Sequence, residues 1–267
     1  MEILTTIAIG RHTIDFGVAT THEEREAVLT QRFRVYQREG YYREGVAEDR
    51  DEHDRDAVFF LARLRRTDLA KSVMVGSARL IRGREDHGFE FPCQKGHRFE
   101  LPEPVHDVPA AQREEVGRVV SEMPRGFGVG QLLTTLGLLQ AMGKYHEKAT
   151  GQVPLRCGLA TIELRLLRGL RSLGLPLHEI PSAGVIYPPD GPVAGYFHRH
   201  PDPAVPVYWL AAEMIPAVRR VIARYRRGSI ATRMSKIRKM SRKSWPGPGV
   251  PWTGHSNSGR RLRRLDG

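Results

Sequence analysis

Apolar side chains recur along this chain at two spacings, and the switches between them mark out its elements. Residues 14–19 (Ile-Asp-Phe-Gly-Val-Ala) alternate apolar with small or polar side chains, the period of a short strand. Thr21-His22-Glu23-Glu24 then has the form of a capping box, so a helix starts there, runs to about Glu39 and ends at Gly40. On it Val28, Arg32, Val35 and Tyr36 share one face by their three- and four-residue spacing, which makes Arg32 a charge among apolar neighbours. Burying it alone would be costly, so it either meets a carboxylate or snorkels at the edge of the core.

Residues 40–56 are polar, acidic and aperiodic and read as a loop, whose simplest account is a solvated acidic surface. Residues 57–65 and 72–82 are two strand-like runs joined by a short polar link, a hairpin signal. Residues 83–113 are irregular and could cover a pocket. Glu114 to Met123 reads as a strand through Val116, Val119 and Val120; beyond a glycine-rich turn, Leu132, Leu133, Leu136 and Leu139 recur with helical spacing over about 130–147. A strand at 154–161 and an amphipathic helix at 162–173 follow, then strands at 177–187 and 193–198. A helical segment holding Tyr208, Trp209 and Leu210 leads past Pro216 into a basic tail. The order of elements predicts a mixed α/β (α+β) fold, helices flanking one central sheet.

Composition changes this picture in one respect. The net charge of +12 comes from 42 Lys/Arg and 30 Asp/Glu over 267 residues, but 15 of the bases and one of the acids lie in residues 219–267. The remaining 27 bases and 29 acids give the rest of the chain a charge near −2, so the basicity belongs to the tail. From about Gly228 onward there is little to bury, and residues 228–267 are expected to be disordered beside a folded unit at 1–227. The tail suits an acidic carrier protein or an anionic membrane surface in peripheral contact; no specific nucleic-acid contact is expected. Two cysteines, Cys93 and Cys157, are too few for a disulfide framework, and no apolar run approaches the ~20 residues of a membrane span. With no signal-peptide pattern at the N-terminus, a soluble cytoplasmic protein is the expectation.

Candidate chemistry clusters around residues 115–130. Between strand and helix lies Arg125-Gly126-Phe127-Gly128-Val129-Gly130, whose glycines let several N–H groups and a helix N-terminus converge, as suits a phosphate. Neither the dinucleotide pattern Gly-x-Gly-x-x-Gly nor the P-loop ending Gly-Lys-Ser/Thr is met. Asp51-x-His53-Asp54 lacks the glycine and terminal glutamate of a calcium loop, and Cys93 with His97 and His87 shows no evident four-ligand zinc set, so no metal is expected.

The glycine turn, in the form Arg-x-x-Gly-x-Gly, resembles the donor-binding turn of the GNAT acyltransferase superfamily. More narrowly, residues 14–200 resemble the autoinducer (acyl-homoserine lactone) synthases and the related N-acyl amino acid synthases, including the acyltransferases associated with PEP-CTERM/exosortase systems. The carriers are Arg32-x-x-x-Tyr36 with Tyr42, Asp51-x-x-Asp54, Gly76-Ser-Ala-Arg79-Leu and Glu115-Val-Gly-Arg118. Gly117 stands where the family usually has Ser, Tyr42 where the lactone synthases usually have Trp, and a long insert follows Arg82.

The resemblance implies a fatty acyl group moved from acyl carrier protein or acyl-CoA, the donor substrate, to the amine of an amino acid or similar small acceptor, with no permanently bound cofactor. A lactone synthase taking S-adenosylmethionine and an acetyl-CoA-dependent acetyltransferase are the alternatives. It also implies that Arg125, Gly126, Gly128 and Gly130 hold the donor. Arg32, Tyr36, Tyr42, Asp51, Asp54 and Arg79 shape the acceptor side, and Glu115 and Arg118 act at the reaction centre. Glu115 is the candidate base. On a regular strand Glu115 and Arg118 face opposite ways, so a bulge at 116–118, opened by Gly117, is predicted.

Overall fold

The computed structural model describes residues 1–42, 45–66, 72–86, 88–123, 130–148, 154–181 and 204–226. The period-two stretches form one sheet: β1 (Glu2–Ile9), β2 (His12–Val18), β3 (Val58–Arg66), β4 (Ser72–Arg82), β5 (Arg113–Ser121), β6 (Cys157–Glu163), β7 (His178–Glu179) and β8 (Ala204–Leu210). Their order across the sheet is β1-β2-β3-β4-β5-β6-β8-β7. Every neighbouring pair is antiparallel except β5 and β6, which run parallel. A parallel pair needs a crossover, supplied by α3 (Gly130–Lys148). The helices α1 (His22–Arg38), α2 (Pro92–Gly96), α4 (Leu164–Ser172) and α5 (Ala211–Arg226) complete the architecture, a mixed sheet flanked by helices as expected. No helix among the described residues is long and apolar enough to cross a membrane.

Sequence signals place α1 closely. The Thr21 hydroxyl accepts the Glu24 N–H at 3.3 Å, while the Glu24 carboxylate takes the N–H of Thr20, one residue before the box position. Two readings are corrected. Residues 2–9, left without an element, form β1 and pair with β2 into a hairpin. Residues 204–210 are a strand and not a helix: Ala204, Pro206, Val207 and Trp209 are buried, and the register with β6 runs from Glu163↔Ala204 to Cys157↔Leu210. The Trp209 ring lies where a Cβ on Gly158 would sit, 2.2 Å from it, so that glycine and that tryptophan lock the two strands together. The helix begins only at Ala211 and carries Pro216 inside it. The strand expected at 177–187 is described only as β7, and the one at 193–198 lies outside the described residues, as does the tail at 228–267.

One face of the sheet packs Phe16, Phe60, Leu80 and Val116 against Leu133 and Leu136 of α3 and Val218 and Val221 of α5. The other packs Phe59, Leu61, Ile81 and Leu159 against Val28 and Leu29 of α1 and Cys93 of α2. Two irregularities in the middle strands matter for function. β5 and β6 pair only at Arg113↔Cys157, Glu114↔Gly158 and Glu115↔Leu159, although β5 continues along β4 to Ser121 and β6 along β8 to Glu163. The sheet therefore parts just past Glu115. In the same stretch Arg79↔Gly117 is followed by Ser77↔Val120, so Arg118 and Val119 oppose Ala78 alone. The predicted bulge is present one residue later than expected: Arg118, not Gly117, carries the unusual backbone, with φ +54°.

Candidate active site

Four segments bring the charges together on the α1 face. α1 supplies Arg32 and Tyr36, the loop after it Tyr42, Asp49, Asp51 and Asp54, β4 supplies Arg79, and β5 supplies Glu115 and Arg118. Arg32, 1% exposed, meets carboxylates as its position required: Nε lies 2.6 Å from Asp49 Oδ2, and Nη1 and Nη2 donate to Asp54 Oδ1 and Oδ2 at 3.0 and 2.7 Å. Nη2 also donates to the Asp49 carbonyl. Arg79 Nη1 donates to Asp51 Oδ1 at 2.6 Å and to Asp54 Oδ1 at 2.7 Å. Asp51 opens a short 3-10 turn at Glu52–Asp54: its Oδ1 takes the His53 N–H, and its own N–H donates to Asp54 Oδ2, both at 3.0 Å. Burial alone would raise the Asp54 and Asp51 carboxyls. The guanidinium groups of Arg32 and Arg79 outweigh it, holding Asp54 far below the ordinary range and Asp51 below it.

The bulge turns Arg118 onto this same face. Its guanidinium lies 5.5 Å from the centre of the Tyr36 ring, its Nη1 is 3.4 Å from the Tyr42 hydroxyl, and its Nη2 is 3.5 Å from both Asp49 Oδ1 and Asp51 Oδ2. Burial would lower this cation's pKa, but Asp49 and the two tyrosines raise it above its usual value. Tyr41, not singled out from sequence, stacks on Tyr36 at 4.6 Å and donates to Glu163 Oε1 at 2.9 Å, linking the loop to the end of β6. Asp49 was also missed, since nothing in the sequence separates it from the other acids of the loop.

Glu115 lies beside this cluster and is 4% exposed. Its Oε2 accepts the Cys93 N–H at 2.9 Å, so α2, from the irregular 83–113 segment, covers it. Burial raises its carboxyl above the ordinary value, opposed by that N–H and by the charges of Arg79 and Arg118. Two residues past Leu159 on the same face of β6, the Thr161 hydroxyl is buried with no hydrogen-bond partner among the described residues. Val119, where β6 has drawn away, is 37% exposed.

Of the proposed donor turn, Gly130 begins α3 and is buried, while Arg125, Gly126 and Gly128 lie outside the described residues. Two cavities flank the ionic cluster. One of about 600 Å³ runs between Thr21, Arg25, Leu29, Asp54 and Phe59; the other, about 210 Å³, lies between His53, Ile81, Phe89 and Lys95. Glu115 lines neither. Among the described residues no group of three His, Cys, Asp or Glu is placed to hold a metal. His97 Nε2 lies 3.2 Å from the Ala204 carbonyl, and His87 is outside the described residues.

No protein-family model and no curated protein matches the chain. Solved structures do. The protein TofI in a ternary complex with an inhibitor and MTA gives a TM-score of 0.49 at 15% identity, over 78% of this chain and 96% of that one. The acyl-homoserine lactone synthase LasI gives 0.48 at 12%, over 78% and 94%. FeeM, an N-acyl amino acid synthase from uncultured soil microbes, gives 0.39 at 15%, over 75% and 93%. Likenesses this remote carry no inference about activity, which rests on the residues themselves.

Proposed function

We propose that the protein is an N-acyltransferase that moves a fatty acyl group from a thioester, on acyl carrier protein or CoA, to the amine of an amino acid or similar small acceptor. The observation that carries this reading is the parting of the parallel strands β5 and β6 just past Glu115, with the bulge at Arg118–Val119 on its margin. An extended thioester arm fits between strands that have separated, because main-chain groups there no longer satisfy one another. The bulged peptide stands outside the ladder and offers an N–H to a carbonyl oxygen gaining charge. α3 starts at Gly130, the last residue of the glycine-rich sequence that resembles a donor-binding turn.

In this scheme the acceptor nitrogen attacks the thioester carbonyl carbon, the carbon–sulfur bond breaks, and the sulfur leaves as a thiolate that is protonated by the proton Glu115 has taken from the nitrogen. Glu115 takes the amine proton, directly or through a water. Burial raises its pKa, which makes it a stronger base, and the α2 cover, held to it by the Cys93 N–H, has to shift to admit the amine. The narrower kinship with synthases associated with PEP-CTERM/exosortase systems rests on the sequence motifs, and we assign the chemistry to residues 1–227.

Thiol release from purified protein given acyl-CoA or acyl carrier protein with amino acids, read beside mass spectrometry of lipid extracts from overproducing cells, tests the activity. N-acyl amino acids are expected. A lactone formed only with S-adenosylmethionine, or acetyl transfer alone, replaces this reading with one of the alternatives. Glu115→Gln should cut turnover by about 10²–10⁴-fold. Its melting temperature should hold or rise, because the substitution removes a buried carboxylate. Unchanged turnover excludes Glu115 as the base.

A further inference from the structure

Resting on the acyl-transfer reading, we infer that Arg118 seats the acceptor's carboxylate, so that the acceptor is a free α-amino acid and not a plain amine or an amino-acid amide. The three arginines of the cluster are held differently. A guanidinium has five N–H donors. Arg32 donates from both terminal nitrogens to Asp54 at 3.0 and 2.7 Å, and its Nε is ion-paired with Asp49 Oδ2 at 2.6 Å. Arg79 bridges Asp51 and Asp54 through Nη1 at 2.6 and 2.7 Å, with its Nε buried and without a hydrogen-bond partner among the described residues. Arg118 is different. Its contacts to Asp49, Asp51 and Tyr42 fall at 3.4 to 3.5 Å, longer than a well-made N–H···O bond. Its side chain is 23% exposed, against 1% for Arg32 and 2% for Arg79.

The neighbouring aspartates leave it available. Asp49 Oδ2 is already neutralised by Arg32 and Asp51 Oδ1 by Arg79, so Arg118 can turn to another carboxylate without stranding either of them in the interior. Three arginines face three aspartates, and an arriving zwitterion keeps that balance. The cation is also held ready: the Tyr36 ring lies under it and the Tyr42 hydroxyl at its edge, which restricts the guanidinium plane before any ligand comes. A non-glycine residue at φ +54° is strained, and the strain has a consequence here, because it turns Arg118 to the face where Glu115 sits. An α-carboxylate paired side-on with Arg118 then presents the amine one carbon away toward that face.

The test uses the full chain and two readouts. Calorimetry without donor measures binding of each of the twenty common amino acids and of their amides; steady-state assays give the KM of acceptor and donor separately. Wild type should bind and acylate the preferred amino acid on the order of 100-fold better than its amide. Arg118→Gln should raise the acceptor KM by a similar factor, leave the donor KM within about twofold and lose the preference over the amide. Arg118→Lys, which keeps the charge without the fork, should fall between the two. An amide accepted as readily as the free acid, or an acceptor KM unmoved in Arg118→Gln, overturns the inference. Binding of an amino acid that depends on Arg118 but yields no acyl product supports the carboxylate seat and sinks the acyl-transfer reading; no binding and no turnover in wild type overturns the inference too.

Discussion

Asp54 ties the ionic cluster together, because among the described residues it alone contacts both Arg32 and Arg79 at hydrogen-bonding distance. Asp54→Asn would leave Arg32 with Asp49 and Arg79 with Asp51 but the cluster with one buried positive charge unbalanced. A loss of about 3–5 kcal/mol follows, or roughly 10 °C in melting temperature. A change below about 1 kcal/mol would show the cluster to be ornamental to stability. Its pH dependence has a definite sign. The Asp51 and Asp54 carboxyls titrate lower in the folded than in the unfolded chain, so the unfolded state binds more protons in the acid range. The stability they contribute is fully present above the ordinary carboxylate value, about pH 4, and is lost as pH falls through the folded values. Melting temperature should therefore change little from pH 7 to about pH 4 and fall below it, more steeply for wild type than for Asp54→Asn. Arg32 was legible because a charge on an apolar helix face needs a partner. Asp49 was not, because one acid in an acidic run carries no mark of which will be buried.

Among the strands, Gly158 sits beside the last β5–β6 pairing and directly under Trp209. Gly158→Ala should force the indole or the strand to move, costing about 1–3 kcal/mol as an overpacked core site. If the point where β5 and β6 part depends on this contact, acyl transfer should fall more steeply than stability. A melting temperature equal to wild type would mean the indole relocates freely. The two strands misread or left unread were obscured for different reasons. Pro206 lies in the middle of β8, and a proline ordinarily argues against an interior strand; here it faces Thr161 of β6 while its carbonyl accepts the Ile180 N–H from beyond β7. β1 interrupts its apolar alternation with Thr5 and Thr6 and is recognisable only through its pairing with β2. The five-residue α2 is too short to leave a periodic trace, yet it decides the environment of Glu115.

For the whole chain, the uneven charge predicts that the tail is separable from the chemistry. Removing residues 228–267 should leave thermal stability and turnover on a soluble donor unchanged. It should abolish salt-sensitive binding to phosphatidylserine-containing vesicles, to which each tail cation near the surface contributes about 1 kcal/mol. Turnover lost on a soluble donor would place the tail in the active centre or on the carrier. The sequence alone was enough for the mixed α/β order, the extent of α1 and α3 and the need of Arg32 for a carboxylate, because spacing, caps and the cost of a buried charge act locally; Asp51, Asp54, Arg79 and Arg118 were picked out only through the family resemblance. Packing settled where the bulge falls, which arginine is left under-used, and that Glu115 lies covered by α2. Those outcomes depend on register between strands distant in sequence and on segments meeting across the sheet, and no local pattern encodes either.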